Sequence, residues 1–175
     1  DNGPEGVVDP TAGKKHGKGS AGSLRGRKRD LFEGGIRVPG ILEWPEKVKP
    51  GQLTEFPCST SDYFPTIVAA LNIIPDRQQT PLDGINLLPM LTGKMKQRPS
   101  PIAFQSGRQL ALIYNQYKII SIDKGESFML FDLVNDPGEK YNIAEINPEL
   151  LQNMIKELEE WQESCTRSIE NNQGI

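Results

Sequence analysis

The hydrophobic and polar positions divide the chain into three textures. Residues 1–30 are dominated by Gly, Pro, Lys and Ser and read as loop. After Gly34-Gly35 the stretch Ile36-Arg37-Val38-Pro39-Gly40-Ile41-Leu42-Glu43-Trp44 is apolar-rich and predicts a strand, ended by Pro45 and Pro50-Gly51. Ser59 to Asn72 carries Tyr63, Phe64, Ile67, Val68 and Leu71 near helical spacing, which predicts a helix with Ser61 as its cap. Pro65 requires that helix to begin close by, because proline is tolerated only in a first turn. Leu87 to Gly93 predicts one short helical turn closed by glycine, and the polar, proline-containing stretch Lys94–Pro101 marks a subdomain boundary. Beyond it come four short apolar or β-branched runs, Ile102–Gln105, Leu110–Tyr114, Tyr117–Ile122 and Phe128–Leu133. They are separated by Ser106-Gly107, Asn115-Gln116 and Lys124-Gly125 at hairpin spacing, so neighbouring strands run antiparallel. The last element is a helix: Asn147 caps it, Pro148 takes the first position, and Glu149 suits its positive end. Leu150, Leu151, Met154, Ile155, Leu158, Trp161 and Cys165 form one apolar stripe along it. A four-stranded antiparallel sheet with that helix laid on one face is the compact solution.

Composition adds bounds. A chain of 175 residues with 36% hydrophobic content is long enough for one or two small cores. No apolar run approaches the roughly 18 residues of a membrane helix. Cys58 and Cys165 lie far apart, have no zinc-like spacing, and read as free thiols. The sequence opens at Asp1 without an initiator Met, which reads as a piece of a longer protein whose active site continues upstream.

Charge is uneven although the net value is only −3. Pro10 to Arg29 holds no acid but carries Lys14, Lys15, Lys18, Arg25, Arg27, Lys28 and Arg29, while the segment from Glu139 onward is predominantly acidic. A basic, Gly-rich stretch attracts phosphate, sulfate or a polyanion. A nucleotide-binding phosphate loop fails on spacing, since Gly13 and Gly17 are too close and Gly19 follows Lys18. Nucleic acid is disfavoured because no aromatic residues interleave with the basic ones. His16, the only histidine, and Arg27 are candidate substrate contacts. Asp1-Asn2 offers two hard oxygen donors suited to Ca²⁺ or Mg²⁺, with Gly3-Pro4 supplying the turn that lets both face one ion. Two donors leave most of a calcium sphere of about six to eight oxygens to come from elsewhere.

Taken together, Asp1-Asn2-Gly3, Leu24-Arg25-Gly26-Arg27-Lys28 and Glu33-Gly34-Gly35-Ile36-Arg37-Val38-Pro39 resemble blocks of the sulfatase family of the alkaline-phosphatase-like superfamily. Ser61–Thr66, Asp83–Pro89, and Phe131-Asp132-Leu133 with Asn135-Asp136-Pro137, Glu139 and Asn142 follow in family order. The resemblance covers nearly the whole chain. It implies an α/β fold in two parts: residues 1–100 as the end of a catalytic α/β domain, and 101–175 as a small subdomain of antiparallel sheet and helix. It also implies a sulfuric ester hydrolase acting on a sulfated small molecule or glycan in the periplasm, the lysosome or outside the cell. In that family a formylglycine, made from Cys or Ser in a Cys/Ser-x-Pro-x-Arg motif, attacks the sulfate with Ca²⁺ present. By match, Asp1 and Asn2 are metal ligands, Lys28 is the sulfate-contacting catalytic lysine, and Arg37 is structural, paired with a carboxylate. Neither Cys58 nor Cys165 sits in the maturation motif, so the nucleophile is expected upstream and this chain alone is expected to be inactive. A phosphonate or phosphodiester hydrolase of the same superfamily, and a non-catalytic polyanion- or glycan-binding module, are the alternatives.

Overall fold

The C-terminal strands are apolar on consecutive residues, and the computed structural model, which describes residues 3–4, 19–74 and 82–172, shows why. Strands β1 (Ile102–Ser106), β2 (Gln109–Tyr114), β3 (Tyr117–Ser121) and β4 (Met129–Asp132) form one antiparallel sheet in the order β1-β2-β3-β4. Leu112 pairs with Ile119, and Ile119 with Leu130, on one face. Helix α4 (Pro148–Asn172) closes that face with Met154 and Leu158, both almost fully buried, while Leu150, Leu151, Ile155 and Trp161 pack around them. On the opposite face Ala111 pairs with Ile120, and Lys118 with Phe131. That face is covered too: Leu31 and Phe32 pack on Ala111, Ile120 and Phe131. A sheet buried on both sides has no polar alternation to show.

Two compact units result. Residues up to Pro39, together with those from Ala103 onward, form one, and Gly40–Ile102 form the other. The first holds α1, a four-residue helical turn (Glu33–Ile36), as well as the sheet and α4. The second holds α2 (Tyr63–Ala70), preceded by a 3-10 turn over Thr60–Asp62, and α3 (Leu88–Leu91).

Three details depart from the sequence expectation. Residues 37–44 form no strand; Ile41 and Leu42 are exposed, and no neighbouring strand among the described residues supplies a ladder. The helix expected from Ser59 to Asn72 is shorter, and the capping side chain is Ser59, two residues before Ser61, at the start of the 3-10 turn that leads into α2. The reason is a reciprocal box: the Ser61 N–H donates to Ser59 Oγ, and the Ser59 N–H donates to Asp62 Oδ2 at 2.7 Å. At α4 the Asn147 carbonyl accepts the Leu151 N–H at 3.1 Å, while its side-chain amide donates back to the Ile143 carbonyl. Among the described residues no helix is long and apolar enough to cross a membrane.

Candidate functional site

The segment Arg25–Gly35 is built on backbone contacts that only small residues permit. The Gly34 N–H donates to the Arg25 carbonyl at 2.6 Å, and the Asp30 N–H to the Arg27 carbonyl at 2.9 Å. A Cβ on Gly34 would overlap the Gly26 and Arg25 carbonyls, and one on Gly35 would overlap those of Asp30 and Arg27. The Glu-Gly-Gly string is therefore a steric requirement of the loop, and α1 is a single turn because glycines carry its middle.

Lys28 lies half-buried at the middle of this loop. Its N–H donates to the Pro4 carbonyl at 2.9 Å, and the Gly3 N–H donates to the Gly35 carbonyl at 2.8 Å. The Gly3-Pro4 step that follows Asp1-Asn2 is thus tied to the lysine's own backbone and to the end of its loop. Asp1, Asn2 and His16 lie outside the described residues. The guanidinium of Arg27 donates to the Gly19 carbonyl at 2.6 Å and its N–H to Asp30 Oδ2 at 2.8 Å, so Arg27 closes its own loop. Arg37, partly exposed, stands 3.9 Å from Glu33 Oε2 four residues before it.

Behind the loop is a buried ionic cluster that the sequence reading did not assemble. Lys118 of β3 is fully buried, with Nζ 2.9 Å from Glu33 Oε1 and 2.9 Å from Glu139 Oε1. Glu139 Oε2 accepts the Glu33 N–H at 2.7 Å, and the Glu139 carbonyl accepts from Arg25 Nη1 at 3.1 Å. Arg25 lies over the Phe32 ring, 3.9 Å from its centroid. Burial pushes the Glu139 carboxyl up; Lys118 and the Glu33 N–H oppose this, the Glu33 charge adds to it, and the net shift is upward. The signal available in the sequence was a lone lysine inside an apolar strand, since a lysine there must be paired when buried.

The second unit has its own buried pair. Asp62 and Arg98 form a two-pronged ion pair at 2.7 and 2.8 Å, with both side chains out of solvent. Asp62 also accepts N–H bonds from Ile85 and Ser59. Cys58 is exposed overall, yet desolvation of its thiol and then the Asp62 charge push its pKa up, the opposite of an activated nucleophile. Among the described residues no group of three or more His, Cys, Asp or Glu could hold a metal, and the expected Ca²⁺ ligands Asp1 and Asn2 lie outside them.

Residues 26–165 match the family described as N-sulphoglucosamine sulphohydrolase, C-terminal, and the chain belongs to that family. It is similar to arylsulfatase A of Bos taurus, 33% identical over 91% of this chain and 36% of the relative. It is also similar to N-acetylgalactosamine-6-O-sulfatase of Bacteroides thetaiotaomicron, 28% identical over 91% of this chain and 34% of the relative. Among solved structures, Ps i-CgsB in complex with k-i-k-neocarrahexaose superposes with a TM-score of 0.73 at 28% identity, covering 91% of this chain and 34% of that one. The chain thus spans about a third of the length of these relatives.

Proposed function

We propose that this chain is the C-terminal portion of a sulfatase that hydrolyses sulfate esters of sulfated glycans, with a formylglycine nucleophile contributed from upstream. In this reading residues 1–100 end the catalytic domain and 101–175 form the closing subdomain. Asp1 and Asn2 join upstream ligands in holding Ca²⁺, which lends positive charge to the sulfate oxygens when bound. Lys28 contacts the sulfate and stabilises charge on the leaving oxygen, a task suited to a compact ammonium in a water-poor pocket. Arg27 and His16 are secondary candidates for the sugar. The glycan class is supported by the N-sulphoglucosamine family description and by the galactosamine and carrageenan-type sugars in the relatives' names. Such a protein works in the periplasm, the lysosome or outside the cell.

The observation that most supports this reading is the pair of backbone bonds joining Gly3-Pro4 to Gly35 and Lys28, which draws the step after Asp1-Asn2 beside the lysine. Two assays test it. The 175-residue chain alone is expected to give no turnover of 4-nitrophenyl sulfate above buffer. In the complete protein, Lys28→Ala is expected to lower kcat by about 10²–10³-fold, the usual effect of deleting one oxyanion-stabilising contact. Turnover by the isolated chain, or an unchanged kcat in the variant, would refute the assignment.

A further inference from the structure

We propose that Gln109, supported by Glu139 and Lys118, is a positioning residue for Lys28: the C-terminal sheet grips the cation loop at both ends and in the middle, and so sets where the amine stands. This inference rests on the reading of Lys28 as the sulfate contact. Within residues 25–34 the bonds that hold the loop to itself include Gly34 N–H to Arg25 O, Asp30 N–H to Arg27 O, and Arg27 N–H to Asp30 Oδ2. Arg29, directly after the lysine, has φ of +80°, a left-handed conformation that a non-glycine residue keeps only when its surroundings impose it.

Gln109, the first residue of β2, imposes it. Its Nε2 donates to the Arg29 carbonyl at 2.9 Å, and its Oε1 accepts the Leu31 N–H at 2.9 Å. A carboxamide can donate and accept from one planar end, so a single side chain ties the carbonyl of the strained residue to the N–H two positions on. Glu139 holds the outer ends of the same loop, through its carbonyl to Arg25 and its carboxylate to the Glu33 N–H, with Lys118 fixing that carboxylate. Gln109 contributes nothing to the apolar cores, which are filled by Leu110, Leu112, Ile119 and their neighbours on one face and by Leu31, Phe32, Ala111, Ile120 and Phe131 on the other. Its removal therefore frees the loop without emptying the sheet.

The test compares Gln109→Ala, Gln109→Glu and Lys28→Ala in the complete protein, using 4-nitrophenyl sulfate and amide hydrogen exchange. Gln109→Ala is expected to lower kcat about 10–100-fold with KM and melting temperature nearly unchanged, the effect of a reacting group displaced by about an ångström. Exchange at residues 28–31 should accelerate roughly tenfold or more while the β2–β3 amides keep their protection. Gln109→Glu keeps the acceptor for Leu31 but sets a carboxylate oxygen against the Arg29 carbonyl, so its kcat should fall as well. Unchanged loop protection, or an unchanged kcat in Gln109→Ala alongside a damaged Lys28→Ala, overturns the positioning role. An unaffected Lys28→Ala overturns instead the functional reading on which it stands.

Discussion

Replacing Lys118 with Met should destabilise the first unit by about 3–5 kcal/mol, and by more at neutral than at acidic pH. Lys118 is the cation between two buried carboxylates, and removing one partner of a buried ion pair leaves the remaining charge without water or counterion. The sign of the pH effect follows from Glu139. Its pKa is raised by burial in the folded chain, so between the ordinary glutamate value and that raised one the native state keeps a proton that the unfolded state has released. Its contribution to stability is fully present below the ordinary glutamate value and is lost as pH rises through the raised native one. Deleting Lys118 removes the largest influence holding that pKa down, so the native value climbs further and the unfavourable window widens. The charges facing the pair are Glu33, Arg25 at the Glu139 carbonyl, and Arg37 beyond Glu33, and none of them substitutes for a cation at 2.9 Å from both acids. Urea unfolding of wild type and variant at pH 5 and pH 7.5, followed through Trp161, measures this. A loss that does not grow with pH would show that Glu139 does not govern it.

The second large effect is expected from Asp62→Ala in the Gly40–Ile102 unit, again about 3–5 kcal/mol. The substitution leaves the Arg98 guanidinium buried opposite an apolar methyl and removes the acceptor for the Ser59 and Ile85 N–H groups. Burial alone would raise the Asp62 pKa; the Arg98 bonds and the two N–H donors outweigh it and hold the carboxyl below the ordinary aspartate value. The stability contributed by Asp62 is therefore present above that ordinary value and is lost as pH falls through the depressed native one. The gap between variant and wild type should be full at pH 7 and shrink below pH 4. Trp44 belongs to this unit and Trp161 to the other, so unfolding monitored in a Trp161→Phe background isolates it. A transition in Trp44 fluorescence unmoved by the substitution would show that the pair is energetically neutral.

These two clusters change the meaning of blocks that the sequence presents as motifs. Glu33-Gly34-Gly35-Ile36-Arg37 looks like a run of chemistry beside a pocket, yet Glu33 points inward to Lys118 and the glycines are steric spacers. Asp62 looks like helix-start chemistry, yet it is the buried partner of an arginine 36 residues away. Glu139, part of the C-terminal signature, takes φ of +52° to present its carbonyl and its carboxylate to different ends of the lysine loop. The motif residues around Lys28 mostly hold the fold of its loop.

The sequence by itself determined the four-strand meander, the stripe of α4 and the blocks by which the family is recognised, because these depend on periodicity, turn residues and local spacing. The boundaries of those elements fell within a few residues of the structure. What it could not determine was the cover on the second face of the sheet. Leu31 and Phe32 sit in a polar, Gly-rich context that reads as loop, and they reach Ala111, Ile120 and Phe131 some eighty to a hundred residues later. Nor could it show that the strand predicted over residues 36–44 would find no partner, and there Ile41 and Leu42 stand exposed without a ladder. Only the tertiary structure decided which carboxylates Lys118 would face and that Gln109 would hold the cation loop. Charge pairing at long range is set by the register of β2 and β3 and by how the chain returns over them, and hydrophobic spacing encodes neither.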